Sequence, residues 1–351
     1  MMLVEKRTKN LTCNLIIKVR KMSIVDSETK NYLSNVVSAF SPGIRYACAY
    51  GSGVFKQSGH QSIKDNMIDF IFVVNDAFSW HQQTLKKYPD HYSIVKRLGP
   101  KGLSDYQRSF GAGVFFNTCV EFDDRLIKYG IIDMEMFVDD LLEWKDLYIA
   151  GRLHKPVYTL KGLDNPLIEK PFSANLKSAV LTSIFLLDEK CSMEELFIKI
   201  ASLSYTGDPR MIVGEDKGKV RNIVTPNIEK FHTLYDPILK NISNINVNNS
   251  SIIQDMDPLQ RFELLQELPK NLNTLVLRNL NLNNKAKDFQ KRFIDLSNEK
   301  IKESFAKAVS DIVRSSSTTQ TIKNSTTAGV QKSLYYGGQK MKKMFKGLIR
   351  K

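Results

Sequence analysis

The residues of this 351-residue chain best suited to chemistry gather in one stretch, "AYGSGVFKQSGHQSIKDNMIDFIFVV", at positions 49–74. Gly51-Ser52-Gly53 follows a short apolar run, and Asp65 and Asp69 stand four residues apart, the second inside the apolar run "MIDFIFVV". Glycines let backbone N–H groups approach a phosphate closely, and a serine hydroxyl adds another donor. Paired carboxylates hold a hard divalent cation, which phosphoryl transfer uses to neutralise its reactants. Side chains alternate along a strand, so Asp65, Met67 and Asp69 share a face if the extended backbone begins that early. The competing reading is structural. A buried aspartate satisfied by backbone donors also fits, because charged groups are seldom buried unpaired.

Other residues extend the candidate site. Lys64 adjoins the carboxylates, and Lys128 lies inside the apolar strand "RLIKYGII", where an ammonium without a partner is costly. Both are candidates for a triphosphate, although Lys128 could instead sit at an edge with a solvated head. Arg152 and Lys155 in "GRLHKP" are placed to reach a phosphate from a helix end, or to serve as ordinary C-terminal charges. Arg210 follows the rigid turn Gly207-Asp208-Pro209, whereas Lys217, Lys219 and Arg221 read as a solvated loop. A third carboxylate is usual for such a site, and Glu121 and Asp133 are the candidates. His81 and His91 read as satisfied loop histidines, and none of the five histidines stands in a nucleophile–base arrangement.

The elements that must position these residues are legible in outline. Leu33, Val36, Val37 and Phe40 recur at helical spacing, "IRYACAY" and "MIDFIFVV" read as strands, and "WHQQTLKKY" as a helix. "GAGVFFNTCVEF" and "RLIKYGII" flank Asp123-Asp124 as a hairpin, and "VDDLLEWKDLYIAGRL" reads as one helix. From about Pro171 a helical module follows, with Ser192 and Glu195 spaced for a capping box. Residues 241–254 and 271–285 are asparagine-rich and read as loops or linkers.

Charge locates the partners. The net charge is +14, yet residues 1–21 carry six basic side chains against Glu5, and residues 314–351 carry nine with no acid. Residues 22–313 are therefore neutral, with 36 basic against 36 acidic side chains. A nucleic-acid-binding body spreads basic charge over its folded surface, so no nucleic acid is expected. The basic, acid-poor start reads as a mitochondrial presequence, with a merely disordered tail as the alternative. The four cysteines lie tens of residues apart, without a CxxC pair, as core residues in a reducing compartment. In residues 330–348, Val330, Leu334, Met341, Met344, Phe345 and Leu348 form a helical stripe accompanied by five lysines. That pattern suits a helix lying on an anionic membrane surface, with Gly337-Gly338 as its interruption.

The order strand, Gly-Ser turn, spacer, strand with carboxylates is that of the nucleotidyltransferase fold. Beyond it, "YGSGVFKQ", "KDNMIDFIFVV", "WH", "HYS", "GAGVFFN", "RLIKYG", "LYIAGRLHKPV" and "YTGDPRMIVGEDKGKV" occur in that order. With the tail "TTAGVQKSLYYGGQKMKKMFKG", they resemble the mitochondrial phosphatidate cytidylyltransferase family, also called the mitochondrial translocator assembly and maintenance protein family. The resemblance covers roughly residues 30–225 and the tail. It implies a magnesium-dependent enzyme on the matrix face of the inner membrane, making CDP-diacylglycerol from CTP and phosphatidate for cardiolipin synthesis. The expected fold is α/β with a mixed sheet. Residues 1–22 form the presequence, 23–165 a nucleotidyltransferase-like domain, 166–313 a smaller helical, winged-helix-like domain, and 314–351 a basic amphipathic tail. Catalysis and metal binding fall to Asp65 and Asp69, with Lys128. Nucleotide binding falls to Gly51, Ser52, Gly53, Lys64, Arg152 and Arg210. One departure stands out, since most nucleotidyltransferases carry Asp-x-Asp on this strand and here the first position is Met67. It motivates one alternative, a non-catalytic assembly factor on a degenerate fold. A nucleotidyltransferase acting on nucleic acid or protein is the other.

Overall fold

The structure is a computed structural model describing residues 25–40, 43–55, 66–211, 218–248 and 250–349, with side chains as far as residue 329. Helix α1 (Ser27–Phe40) buries Leu33, Val36, Val37 and Phe40, the stripe that its spacing dictates. Strands β1 (Ile44–Tyr50) and β2 (Ile68–Val74) pair antiparallel, with Tyr50 opposite Asp69. Asp76 caps α2 (Ala77–Lys87) by accepting from the Ser79 N–H at 2.7 Å, and α3 (Gly99–Ser109) follows. Strands β3 (Val114–Phe122) and β4 (Arg125–Asp133) form the expected hairpin, turning through Asp123 at φ 48°.

Next come α4 (Met134–Glu143), α5 (Ala150–Leu153) and β5 (Tyr158–Lys161). The helix expected to run from Val138 to Leu153 is broken, because Trp144 turns left-handed (φ 52°) after α4. Buried Asp140 then takes the backbone N–H groups of Asp146, Leu147, Tyr148, Ile149 and Ala150 at 2.7–3.2 Å. Five amides on one carboxylate fix the loop that enters α5.

The mixed sheet runs β3-β4-β2-β1-β5, with only β2 and β4 parallel. Alternation along β2 sends Ile68, Phe70, Phe72 and Val74 to a core with α1 and α2. Ile71 and Val73 face the other way, into a core shared with the helical part of the chain. Asp69 has that second facing. It therefore looks toward the junction of sheet and helices.

The helical part holds α6 (Pro166–Leu186), β6 (Lys190–Ser192), α7 (Met193–Ser202), α8 (Lys219–Val224) and α9 (Ile228–Leu239). It continues with β7 (Ile245–Val247), β8 (Ser251–Gln254), α10 (Pro258–Gln266), α11 (Lys270–Asn279) and α12 (Phe289–Ile294). The capping box at Ser192 and Glu195 is present in both directions. The asparagine-rich stretches are structured rather than loops, since β7 and β8 join β6 in a three-stranded sheet and α11 occupies most of 271–285. Gln254 anchors that sheet by donating to the carbonyls of Ile184, Leu187 and Asp188 at the end of α6.

The last helix, α13 (Asn298–Ile349), is interrupted at Gly329 (φ 76°, ψ 164°) and not at Gly337-Gly338. The boundary expected at 314 falls inside its first segment. Beyond that boundary Ser316, Ser317, Gln320, Lys323 and Thr327 are buried, and the Lys323 ammonium donates to the carbonyls of Gln107 and Phe110 at 2.6 Å each. This segment thus returns from the helical part to the sheet.

Candidate active site

Parallel pairing of β2 and β4 sets Asp69 beside Lys128, with Lys128 Nζ 3.8 Å from Asp69 Oδ1. The ammonium also lies 4.5 Å above the Phe116 ring. An aspartate in an otherwise apolar strand is thereby answered in part by a lysine in the next one. Both groups keep some exposure, at 24% and 14% of their side chains, so the pair reaches solvent and is not sealed in the core.

The Gly-Ser turn comes up against Asp69 from the end of β1. Gly51 adopts φ 82°, and its carbonyl accepts from the N–H groups of Val54 and Phe55. A Cβ at Gly51 would stand 3.1 Å from Asp69 Oδ2, and one at Gly53 only 2.7 Å from the Met67 carbonyl oxygen. Crowding against backbone requires glycine at Gly53, while at Gly51 the left-handed backbone favours it and a Cβ would press on the Asp69 side chain.

Opposite Asp69 stands a set of cations from α5 and the loops of the helical part. Arg152 Nε donates to the Tyr50 hydroxyl at 3.3 Å, its Nη1 donates to the Tyr148 carbonyl, and its guanidinium lies 4.0 Å above the Tyr148 ring. Lys155 donates to the Gly151 carbonyl and to Ser204 Oγ, and with Lys219 it brackets the Tyr205 ring at 4.9 and 5.1 Å. Arg210 grips buried Asp208 with Nε 3.0 Å from Oδ1 and Nη2 2.6 Å from Oδ2.

The electrostatics record how closely these charges crowd. Burial, then the charges of Arg152 and Lys219, pushes the Lys155 ammonium well below its usual range. Burial raises the Tyr148 phenol, but Arg152, Arg210 and Lys128 more than reverse this, so that it titrates at about 8. Tyr50 stays protonated, since its burial outweighs the pull of Arg152. The region around Tyr148, where Arg152, Arg210 and Lys128 press the phenol toward ionisation, holds an excess of positive charge. It is suited to a polyanion.

The chain matches the family model described as "Phosphatidate cytidylyltransferase, mitochondrial" over residues 33–343. It is 40% identical over 325 residues to the protein of that name from Danio rerio, covering 91% of this chain and 96% of the relative. It is 41% identical over 320 residues to the Xenopus laevis protein of the same name, covering 90% and 95%. The Drosophila melanogaster relative, again so named, is 39% identical over 327 residues, covering 86% and 95%. The chain belongs to the mitochondrial phosphatidate cytidylyltransferase family.

Within this family member the expected residues fall into three groups. Gly51, Gly53, Asp69, Lys128 and Arg152 are brought together, Ser52 lies between the two glycines, and Arg210 is near Arg152 and Tyr148. Lys64 and Asp65 lie outside the described residues, as do the presequence at 1–22, Cys13 and Lys217. The two candidates for a third carboxylate do not join Asp69. Asp133 sits five residues further along the sheet, where it accepts from the Ala77 N–H at 2.6 Å and from Arg108 at 2.9 Å. It is a cap for α2 and an anchor for α3. Glu121 is exposed on the edge strand β3, with β4 between it and Asp69. Among the described residues, no three His, Cys, Asp or Glu side chains gather as a metal site.

His81 is a structural histidine, buried between the Tyr92 hydroxyl and the Gln107 amide at 3.0 Å each, and burial lowers its pKa to about 4. Sequence reasoning missed Tyr50, Tyr148, Ser204, Tyr205 and the cationic role of Lys219. A usable cue was present, in that each glycine or cation motif has a tyrosine beside it, as in "AYGSG", "LYIAGR" and "SYTGDPR".

Proposed function

We propose that this chain transfers CMP from CTP to phosphatidate, giving CDP-diacylglycerol and pyrophosphate for mitochondrial cardiolipin synthesis. The observation that carries this reading is the gathering of Asp69 and Lys128 with Arg152, which bonds Tyr50 opposite Asp69 and shares the Phe116 ring with Lys128, next to the further cations Lys155, Arg210 and Lys219. The five-stranded sheet is read as nucleotidyltransferase-like, and the helical part with its small sheet as winged-helix-like.

Magnesium fits the donor set. Asp69 offers hard carboxylate oxygens, and the missing Cβ of Gly51 leaves the space beside Oδ2 open. Asp69 would hold the ion with Asp65, and when bound it would neutralise phosphate charge and orient the α-phosphorus. The protein's own residues supply the remainder. The Gly51–Gly53 turn offers backbone N–H groups to the triphosphate, and Lys128 turns its charge from Asp69 toward the nucleotide. Arg152 presents a planar fork to a phosphate, held at the right angle by Tyr50 and Tyr148. Lys155, Arg210 and Lys219 stabilise the departing pyrophosphate.

The phosphatidate oxygen that attacks the α-phosphorus is already anionic, so no strong base is required. The obstacle is the approach of two anions in line, and a cationic cleft lowers it by positioning and electrostatics.

Phosphatidate stays in the bilayer, and among the described residues no helix is long and apolar enough to cross a membrane. The chain is accordingly read as a peripheral protein of the matrix side of the inner membrane. Its apolar and lysine-lined segment 330–348 lies along anionic lipid.

The test is to incubate purified protein with CTP, magnesium and phosphatidate vesicles. Equimolar CDP-diacylglycerol and pyrophosphate are expected. CMP transfer onto RNA or protein instead, or no product, overturns the proposal.

A further inference from the structure

Among the described residues, four large apolar side chains are more than half exposed, and three of them lie on two elements that touch: Ile94 (66%), Leu98 (53%) and Ile322 (54%). Ile94 and Leu98 begin and end a short 3-10 helix (Ile94–Leu98) between α2 and α3. Ser93 caps it by accepting from the Val95 N–H, and the same hydroxyl donates to the Thr326 carbonyl of α13 at 3.0 Å. The Tyr106 and Thr326 hydroxyls stand 2.7 Å apart, and Ile322 is one turn before Thr326. Single exposed apolar residues are ordinary, but a group of them where two elements meet calls for a partner.

Charge and chain path name that partner. Residues 93–101, "SIVKRLGPK", carry Lys96, Arg97 and Lys101, all exposed, and no acid. Lys96 and Lys101 meet Asp90 and Asp105 at 3.9 and 2.6 Å, but exposed pairs of this kind are weak. Lysine is depleted in contacts between proteins, whereas apolar tips among basic residues suit anionic headgroups lying over acyl chains. The basic tail also leaves the body here, since a Cβ at Gly329 would stand 3.1 Å from the Ser93 Cβ. The position along the sheet fits as well. α2 starts at the far end, where Asp133 takes the Ala77 N–H, and runs back, so that His91 beyond it bonds the Tyr129 hydroxyl at 2.8 Å. Tyr129 pairs with Phe70, the neighbour of Asp69.

We infer that the 3-10 helix is a second lipid contact beside the tail, and that it lays the Asp69 end of the sheet against an anionic bilayer. This rests on the reading of the chain as an enzyme of anionic membranes. Two apolar side chains and three bases hold a protein only weakly, so the tail supplies affinity and the 3-10 helix supplies direction.

Tryptophan serves as a depth reporter in the full chain, because its own two, Trp80 and Trp144, are buried. On phosphatidylglycerol vesicles with brominated acyl chains, the emission of Ile94→Trp should fall by about half, as for a side chain ~5–10 Å into the interface. Leu167→Trp, equally exposed (68%) but following β5 at the opposite edge of the sheet from β3, should be unaffected. The double variant Ile94→Ser, Leu98→Ser should keep the parental Tm and KM for CTP, because both positions are exposed. It should bind the vesicles at least about tenfold more weakly. Its turnover should fall on phosphatidate in vesicles and not on phosphatidate dispersed in detergent. Vesicle-bound Ile94→Trp with unquenched emission overturns the lipid contact. So does self-association of the parent protein that the serine variant abolishes, which would assign these side chains to a second copy. A parent protein that does not bind the vesicles refutes the membrane reading, and this contact with it. Quenching without CDP-diacylglycerol formation upholds the contact and refutes the catalytic reading.

Discussion

At Gly51 the backbone turns left-handed where a side chain would press on Asp69. Two penalties therefore follow from a single methyl group. Gly51→Ala should lose about 1–2 kcal/mol of stability from its backbone alone. It should also lose turnover by more than about tenfold, because a carboxylate displaced by a few tenths of an ångström no longer meets the nucleotide correctly. Gly99→Ala is the control, with φ 67° but open space around the added methyl. It should show a comparable fall in Tm with full activity. Equal activity losses in the two variants would mean that Gly51 serves folding only. At this scale much of the site was legible in the sequence. The glycines, Asp69 and Lys128 announce themselves by being out of character in apolar strands. Asp133 misled because a cap for a helix of another segment looks, in sequence, like any strand-end carboxylate.

At the scale of elements, local rules carried the reading where the determinants are local. The stripe of α1, the turn at Asp123 and the capping box at Ser192 each depend on residues within one or two turns. The break at Trp144 depends instead on Asp140 gathering five amides, and the strands of the asparagine-rich segment depend on Gln254 gripping α6. The carbonyls that Gln254 grips lie 66–70 residues away, and the amides that Asp140 gathers, six to ten residues on, follow no helical or strand spacing. The interruption of α13 falls at Gly329 because the chain there passes against Ser93, 3.1 Å from where a Cβ would stand, whereas Gly337-Gly338 continues as helix. This division makes a prediction about truncation. Removing residues 330–351 deletes seven basic residues, each worth about 1 kcal/mol near anionic lipid, so vesicle flotation should be lost in a salt-sensitive manner while CTP binding persists. Removing residues 314–351 also strips the buried segment carrying Gln320 and Lys323, and should lower Tm and abolish CTP binding as well. Flotation unchanged by the shorter deletion would exclude segment 330–351 as the membrane contact.

Taken as a whole, the molecule concentrates its cations in two places with different uses. The tail carries net positive charge without acids, whereas the cationic cleft lies inside a body whose charges balance. Composition alone therefore hides the cleft, since Lys128, Arg152, Arg210 and Lys219 are separated by up to 91 residues and meet only in the fold. Aspartate and cations gathered in one place would let a single site take both the proposed metal ion and a polyanion. The proposed chemistry depends most on Asp69. A metal ligand stabilises the reaction and not the fold, because its charge is only partly compensated without the ion. The most direct measurement compares parent protein and Asp69→Asn, at equal Tm and matched folded fraction, for CDP-diacylglycerol formed from CTP and phosphatidate in magnesium. The variant is expected to keep its fold and to lose turnover by at least about a thousandfold. A folded Asp69→Asn protein with near-parental turnover would contradict the proposed chemistry.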